Sequence, residues 1–426
     1  MRINHHLKPV IEAIPERARF ADHREQTVDL LLRITPPASA AQQKRPRLNL
    51  SLVLDRSGSM RGEKMARARE AAAFCVDQLM AEDRLSVVIF DDRIEVIVPS
   101  QPIEDKAAIK ERIQRVQARN STALHEAWVR GGLEVSGQLA SDAINRVILI
   151  TDGLANVGET NVDRIVTQAG ALAGRNVTTS TIGIGSDFNE DLLIPMAEAG
   201  RGNAWHVERA DDMARIFATE LQGLVAQVGH TASLGLTPVD GVTVKDVLND
   251  FEVTHTGRYK LPNLLAGSPI EAVVRVKLPA RKAGEQFKAL DVRLAWTPQG
   301  APSSEREVLN YGVFVEFADA GEADALPADE RVIKAVQLLM VARARREAIN
   351  DLDRGDFTAA RSRVQQVTHA FADACAPIMA DAEVQEQMEM LADLEAELQN
   401  PQEMKMSRKK LSYQSYSLAR QSKRLK

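Results

Sequence analysis

Between residues 47 and about 227, short runs of almost continuous apolar residues alternate with stretches whose apolar positions recur every three or four residues. The runs at 48–54, 85–90, 147–151 and 177–184, with a shorter one at 204–207, predict strands. The stretches at 60–80, 104–117, 123–139, 162–174, 189–199 and 210–228 predict helices. Strands that are apolar on both faces and separated by helices form a parallel sheet covered on both sides, so this region is expected to be α/β, a doubly wound, mostly parallel sheet of Rossmann-like type. A run at 94–98 after the Asp91-Asp92 turn adds an antiparallel edge strand. Right-handed crossovers then bring loops distant in sequence to one edge of the sheet.

The pattern changes near residue 230. Alternating runs at 232–236, 242–247, 251–255, 270–278, 289–296 and 308–317, separated by Gly and Pro turns, predict an antiparallel β-sandwich. One further strand, 27–34, has no sheet of its own, so it is expected to join that sandwich, leaving the α/β domain inserted in it. Past a turn-like 319–327 the period is helical again. A helix over 329–350, a turn at 351–356 with Gly355 as helix C-cap, and a helix over 357–379 predict a helical hairpin, and a third helix follows at about 381–399. The expected organisation is 1–46 as sandwich strand plus Pro-rich linker, 47–228 as the α/β domain, 229–318 as the β-sandwich, 327–400 as the helical region and 401–426 as a basic tail.

Composition narrows the function classes. With 44% hydrophobic and 27% charged residues the chain can build ordinary packed cores, and a net charge of −5 gives no overall reason to bind nucleic acid. The two cysteines, Cys75 and Cys375, stand far apart among apolar neighbours and fit small buried residues in a reducing compartment better than a disulfide or a zinc site. The first residues lack the apolar centre of a signal peptide, and no stretch reaches the roughly 18 to 20 apolar residues that cross a bilayer. The expected location is cytoplasmic.

Charge is segregated at the C-terminal end. The helix at 381–399 is acidic, whereas residues 405–426 carry Lys405, Arg408, Lys409, Lys410, Arg420, Lys423, Arg424 and Lys426. That tail is open to three readings: disorder, pairing with acidic groups of the same chain, or binding to nucleic acid or an anionic membrane.

The candidate chemistry lies in three loops. Asp55-Arg56-Ser57-Gly58-Ser59-Met60 follows the first apolar strand, Thr122 precedes the helix at 123–139, and Asp152 ends the strand at 147–151. All three open onto the same predicted sheet edge. Asp55, Ser57, Ser59, Thr122 and Asp152 supply two carboxylates and three hydroxyls, a set that suits a small hard cation keeping some of its waters. Two ionised Asp balance a divalent charge and leave the ion electrophilic toward an incoming carboxylate. Asp91 and Asp92 fit a solvated turn better than acids supporting this site, and His125 fits a structural helix-face histidine. A Ser57 nucleophile would need a distant histidine such as His125, and no Gly-x-Ser-x-Gly elbow is present, so an enzyme is not expected.

Asp55, Ser57, Ser59, Thr122 and Asp152 match, in order, the Asp-x-Ser-x-Ser, Thr and Asp of the metal-ion-dependent adhesion site, and residues 47–227 resemble a von Willebrand factor A (VWA) domain. Asn120-Ser121 departs from the glycines that many members carry before the Thr. The resemblance implies that Ser57, Ser59 and Thr122 hold the metal directly and that Asp55 and Asp152 act mainly through water. It implies Mg²⁺, with Mn²⁺ or Ca²⁺ as alternatives, and a partner protein that donates an Asp or Glu carboxylate. The overall layout is similar to soluble bacterial members, which implies assembly roles, sometimes beside AAA+ ATPases. It also resembles, more loosely, the inter-α-trypsin inhibitor heavy chains and the calcium-activated chloride channel regulators.

Overall fold

The computed structural model describes residues 8–38, 45–119, 122–140, 143–152, 157–185, 188–207, 212–301, 304–398 and, beyond these, 408, 411–412, 414–416 and 418. The chain divides into two compact units. One comprises Met1–Ala40, Val228–Pro298 and Ser303–Lys426; the other, Ala41–Gln227 with Gln299–Pro302, interrupts it in sequence.

The N-terminal segment contributes β1 (Val10–Pro15), β2 (Phe20–Ala21) and β3 (Gln26–Thr35) to the first unit. A single strand was predicted here. β1 escaped because Glu12 and the terminal Pro15 break its apolar run.

In the second unit the order is β4 (Arg47–Asp55), α1 (Glu63–Gln78), β5 (Arg84–Phe90), β6 (Ile94–Pro102), α2 (Lys106–Gln114), α3 (Leu124–Ser136), β7 (Ala143–Thr151), α4 (Val162–Gly174), β8 (Thr178–Ile184), α5 (Glu190–Ala199), β9 (Arg201–Val207) and α6 (Met213–Val225). The sheet runs β6-β5-β4-β7-β8-β9, parallel throughout except for the antiparallel edge strand β6. Alternation along β4 explains its continuous apolar run. Leu48, Leu50, Leu52 and Leu54 pack with α1, α2 and α6 on one face, while Val53 packs with α3 and α5 on the other.

The chain leaves β4 toward β5 and later returns to its other side at β7, so the β4–β7 edge is a topological switch point, where ligands of such sheets bind. Helix α3 approaches β4 closely at Gly131, where an added Cβ would lie 2.5 Å from Val53 Cγ2 and 3.0 Å from Ser51 Oγ. Gly131→Ala is therefore expected to lower stability by about 1–3 kcal/mol by overpacking. Denaturant unfolding measures it, and an unchanged midpoint would refute the tight approach.

The first unit resumes with β10 (Gln227–Pro238), β11 (Thr243–Val247), β12 (Tyr259–Lys260), β13 (Leu264–Leu265), β14 (Ile270–Leu278), β15 (Gln286–Pro298) and β16 (Glu307–Ala318). Helices α7 (Ala320–Ala325), α8 (Glu330–Asp353), α9 (Phe357–Cys375) and α10 (Ala382–Glu397) follow. A sheet β1-β3-β14-β11 and a sheet β12-β10-β15-β16-β2, with β13 beside β10, share one apolar core. Strand β3 sends Val28, Leu30, Leu32 and Ile34 into that core and Leu31 toward Val332, Ala335 and Leu339 of α8. On the same strand Asp29 makes a two-pronged ion pair with Arg275, its register partner on β14, at 2.8 Å for each contact.

The predicted strand at 251–255 is reduced to one bridge, Val253 to Tyr259, because a turn through Gly257 at φ +71° follows at once and leaves Val253 exposed. The turn-like stretch after β16 contains the short α7, its first turn capped by Asp319.

Both cysteines are buried, and desolvation pushes the thiols up, to about 12 for Cys75 and about 11 for Cys375. Arg408, one of the eight tail cations, pairs with Asp353 at 2.6 and 2.9 Å, Leu411 is buried, and the Ser415 hydroxyl donates to the Ala342 carbonyl at 2.9 Å. These contacts tie part of the tail to α8. The other seven tail cations lie outside the described residues. Among the described residues no helix is long and apolar enough to cross a membrane.

Candidate metal centre

Adjacent parallel strands β4 and β7 end at Asp55 and Thr151, and Asp152 follows directly. Both carboxylates are fully buried. Asp55 Oδ1 accepts the Ser57 backbone N–H at 2.7 Å, and Asp55 Oδ2 accepts the Thr151 hydroxyl. Ser57 Oγ lies 3.1 Å from Ser59 Oγ, and Ser59 Oγ donates to Asp152 Oδ1 at 2.7 Å. Four of the five predicted residues therefore form one hydrogen-bonded chain. Asp152 Oδ2 is held by Lys64 Nζ at 2.6 Å.

Thr122, the fifth, is buried just before α3. Its carbonyl accepts the Val157 N–H at 3.2 Å, which ties the second loop to the segment that follows Asp152. Asn120 and Ser121, the departure from the family pattern, lie outside the described residues.

Asp91 is not a solvated turn residue. It is fully buried and tied to two of the site loops. Its Oδ2 accepts from Arg119 Nε at 2.7 Å and lies 3.2 Å from Arg56 Nε, and its Oδ1 accepts the Arg93 N–H at 2.8 Å. Its backbone carbonyl accepts the Ala123 N–H at 2.7 Å, and the Arg119 N–H donates to the Arg56 carbonyl at 2.6 Å. Desolvation pulls the Asp91 carboxyl upward, but the Arg93 N–H and the charges of Arg119 and Arg56 outweigh it and hold the group below its ordinary value. Asp92 next to it is exposed. His125 Nε2 lies 2.7 Å from Gln168 Oε1 on α4, as a structural histidine would.

Asp55 titrates abnormally. Burial pushes it from 3.8 to about 6, hydrogen bonds from Thr151 and Ser57 oppose the rise, and the charge on Asp152 adds to it. Burial is the main reason that Asp55 resists ionisation, and a cation beside it would offset that cost. Hydroxyl and carboxylate oxygens are the donors a hard cation takes, so the residues present fit a small divalent ion. Among the described residues no three or more His, Cys, Asp or Glu side chains cluster so as to hold a metal ion, here or elsewhere, so this site depends on its hydroxyls as well as its two carboxylates.

Thr151 and Lys64 are the two site residues the sequence pattern did not single out. Thr151 ends an apolar strand one position before a predicted ligand, a place where a hydroxyl is worth noticing. Lys64 follows Ser59 by five positions and carries no comparable signal.

Residues 49–219 match the von Willebrand factor type A domain family, and the mostly parallel sheet with its switch point is that fold. The chain is 32% identical over 201 residues to an uncharacterised protein of Synechocystis sp., covering 47% of this chain and 47% of that one. It is 28% identical over 190 residues to YfbK of Escherichia coli, covering 43% and 32%. It is also 30% identical over 174 residues to inter-alpha-trypsin inhibitor heavy chain H2 of Sus scrofa, covering 39% and 19%. The chain thus spans about half the length of the first of these relatives and less of the other two.

The fold extends further than the sequence match. A von Willebrand factor type A structure from Catenulispora acidiphila aligns over 97% of this chain and 98% of its own, with a TM-score of 0.69 at 18% identity. The ArnB paralog VWA2 from Sulfolobus acidocaldarius aligns over 96% and 98%, with a TM-score of 0.59 at 16% identity.

Proposed function

We propose that this protein is a metal-dependent protein-interaction module without enzyme activity, acting in the cytoplasm. Asp55, Ser57, Ser59, Thr122 and Asp152 hold a divalent cation, Mg²⁺ in the first instance and Mn²⁺ or Ca²⁺ as alternatives. When bound, the ion supplies an electrophilic coordination position for an Asp or Glu carboxylate of a partner protein. The chain's own residues do the rest: the serine hydroxyls and the two carboxylates converge, and the Asp91 cluster fixes the loops that carry Asp55 and Thr122. The observation that carries this reading is the hydrogen-bonded chain from Asp55 through Ser57 and Ser59 to Asp152 at the switch point. VWA domains generally serve protein–protein interaction or adhesion, and the distant likeness to a protease-inhibitor heavy chain agrees with that class.

The test compares wild type with a Ser57→Ala/Ser59→Ala double variant. Mg²⁺ titrated into wild type should give one saturable site that the variant lacks, and partner proteins should be retained by wild type in Mg²⁺ and released by chelator. Equal retention with and without Mg²⁺, or by the variant, sinks the proposal.

A further inference from the structure

We propose that Lys64 is a built-in counter-cation of this site, one that weakens binding of the divalent ion alone and favours its binding together with a partner's carboxylate. The inference rests on the metal-site reading above. Lys64 lies in the first turn of α1 and reaches Asp152 Oδ2 at 2.6 Å, with Asp152 fully buried and the lysine side chain 28% exposed. Two glycines set its path. Gly62, at φ +78°, turns the chain into α1, and Gly185, at φ +76°, leaves room where a Cβ would stand 3.2 Å from Lys64 Cε.

Charge counting gives the consequence. Asp55 and Asp152 contribute −2, which a divalent ion neutralises. With Lys64 added, the loaded site has a net charge of +1, and one incoming carboxylate brings it to zero. Nearby, Arg56 pairs with both Asp91 and Glu95 and Arg119 pairs with Asp91, so these four groups already sum to zero. The Arg119 side chain is also 52% exposed, so solvent screens it. Lys64 therefore repels an ion arriving alone and attracts the carboxylate that follows. Its ammonium touches the Asp152 carboxylate directly, and charges a few Å apart in a partly buried site interact strongly.

The experiment titrates Mn²⁺ into the full chain, with and without acetate as the carboxylate probe, and reads free Mn²⁺ by electron paramagnetic resonance. The proteins are wild type, Lys64→Met, Lys64→Arg and Asp55→Asn, with Lys64→Gln as a second neutral variant should Lys64→Met fold poorly. Lys64→Met should bind Mn²⁺ about tenfold more tightly than wild type and lose most of the enhancement by acetate. Lys64→Arg should stay close to wild type in both respects. Binding by Lys64→Met where wild type shows none supports the proposal equally. An affinity in Lys64→Met that is unchanged or weaker, with binding still lost in Asp55→Asn, overturns the role of the lysine and leaves the metal site standing. Binding that survives Asp55→Asn, or binding by none of the proteins, overturns both.

Discussion

Glu220→Ala should lower the unfolding free energy of the A domain by about 3–5 kcal/mol, the cost of leaving a buried ionic partner uncompensated. Glu220 lies on α6 and is fully buried. Its Oε1 accepts from Arg146 Nη1 at 2.7 Å and from Ser180 Oγ at 2.6 Å, and its Oε2 accepts from Asn203 Nδ2 and Trp205 Nε1, both at 2.8 Å. Every donor comes from β7, β8 or β9, so one carboxylate fastens the α6 side of the sheet across three strands. Desolvation acts to raise its pKa, but Arg146 and the three neutral donors outweigh it and the net position is lowered. A lowered carboxylate stabilises the fold above its unfolded pKa, and that contribution is lost as pH falls through the folded value.

Denaturant unfolding followed by tryptophan fluorescence measures the effect, since Trp205 sits in the network and Trp128 in the same unit. A paired Arg146→Met/Glu220→Leu replacement, which removes both charges, should cost much less than either single truncation. A loss under 1 kcal/mol for Glu220→Ala would show that water or another group takes the place of the carboxylate.

The second large effect has the opposite sign. Asp55→Asn should stabilise the metal-free protein by about 2–3 kcal/mol at pH 8 and do almost nothing at pH 4. The buried carboxyl of Asp55 is raised from 3.8 to about 6, so the folded protein holds that proton more firmly than the unfolded chain does. The associated stability is present below about pH 4 and is lost as pH rises through about 6. An amide at 55 avoids the ionisation, keeps an oxygen for the Ser57 N–H and offers an N–H to the Thr151 hydroxyl. The same variant should no longer be stabilised by Mg²⁺, whereas wild type should gain stability with Mg²⁺ concentration. Stability curves of variant and wild type that stay parallel from pH 4 to pH 8 would refute the abnormal titration. Stability given up for an ionised carboxylate at this position is in keeping with the proposed binding role.

The α/β core was largely legible in the sequence because both faces of its strands are buried. A run such as Leu48 to Leu54 admits few alternatives, and the Asp-x-Ser-x-Ser turn follows it directly. The parts that were not legible depend on partners distant in the chain. Asp91 and Asp92 are indistinguishable as neighbours in a turn, and only Arg56 and Arg119, 35 and 28 positions away, decide which of them is buried. Lys64 resembles a solvated helix residue until β7 brings Asp152 beside it. Glu220 lies in an amphipathic helix whose polar positions normally face water, and its donors come from three strands. Val253 failed in the other direction: local alternation suggested a strand, but the turn at Gly257 leaves it exposed.

The Asp91 cluster also bears on entropy and rate. Its carboxylate and carbonyl immobilise Arg56, Arg119 and Ala123 while the chain folds, at roughly 1–2 kcal/mol of backbone entropy per residue. A ligand that arrives later meets loop segments already ordered, and its affinity is not diminished by the work of ordering them. Because its Arg56–Asp91 arm is buried, moderate salt does not loosen that part of the anchor, whereas the half-exposed Arg119 arm is screened. On the proposed metal binding, a cation would not have to wait for those segments to be ordered.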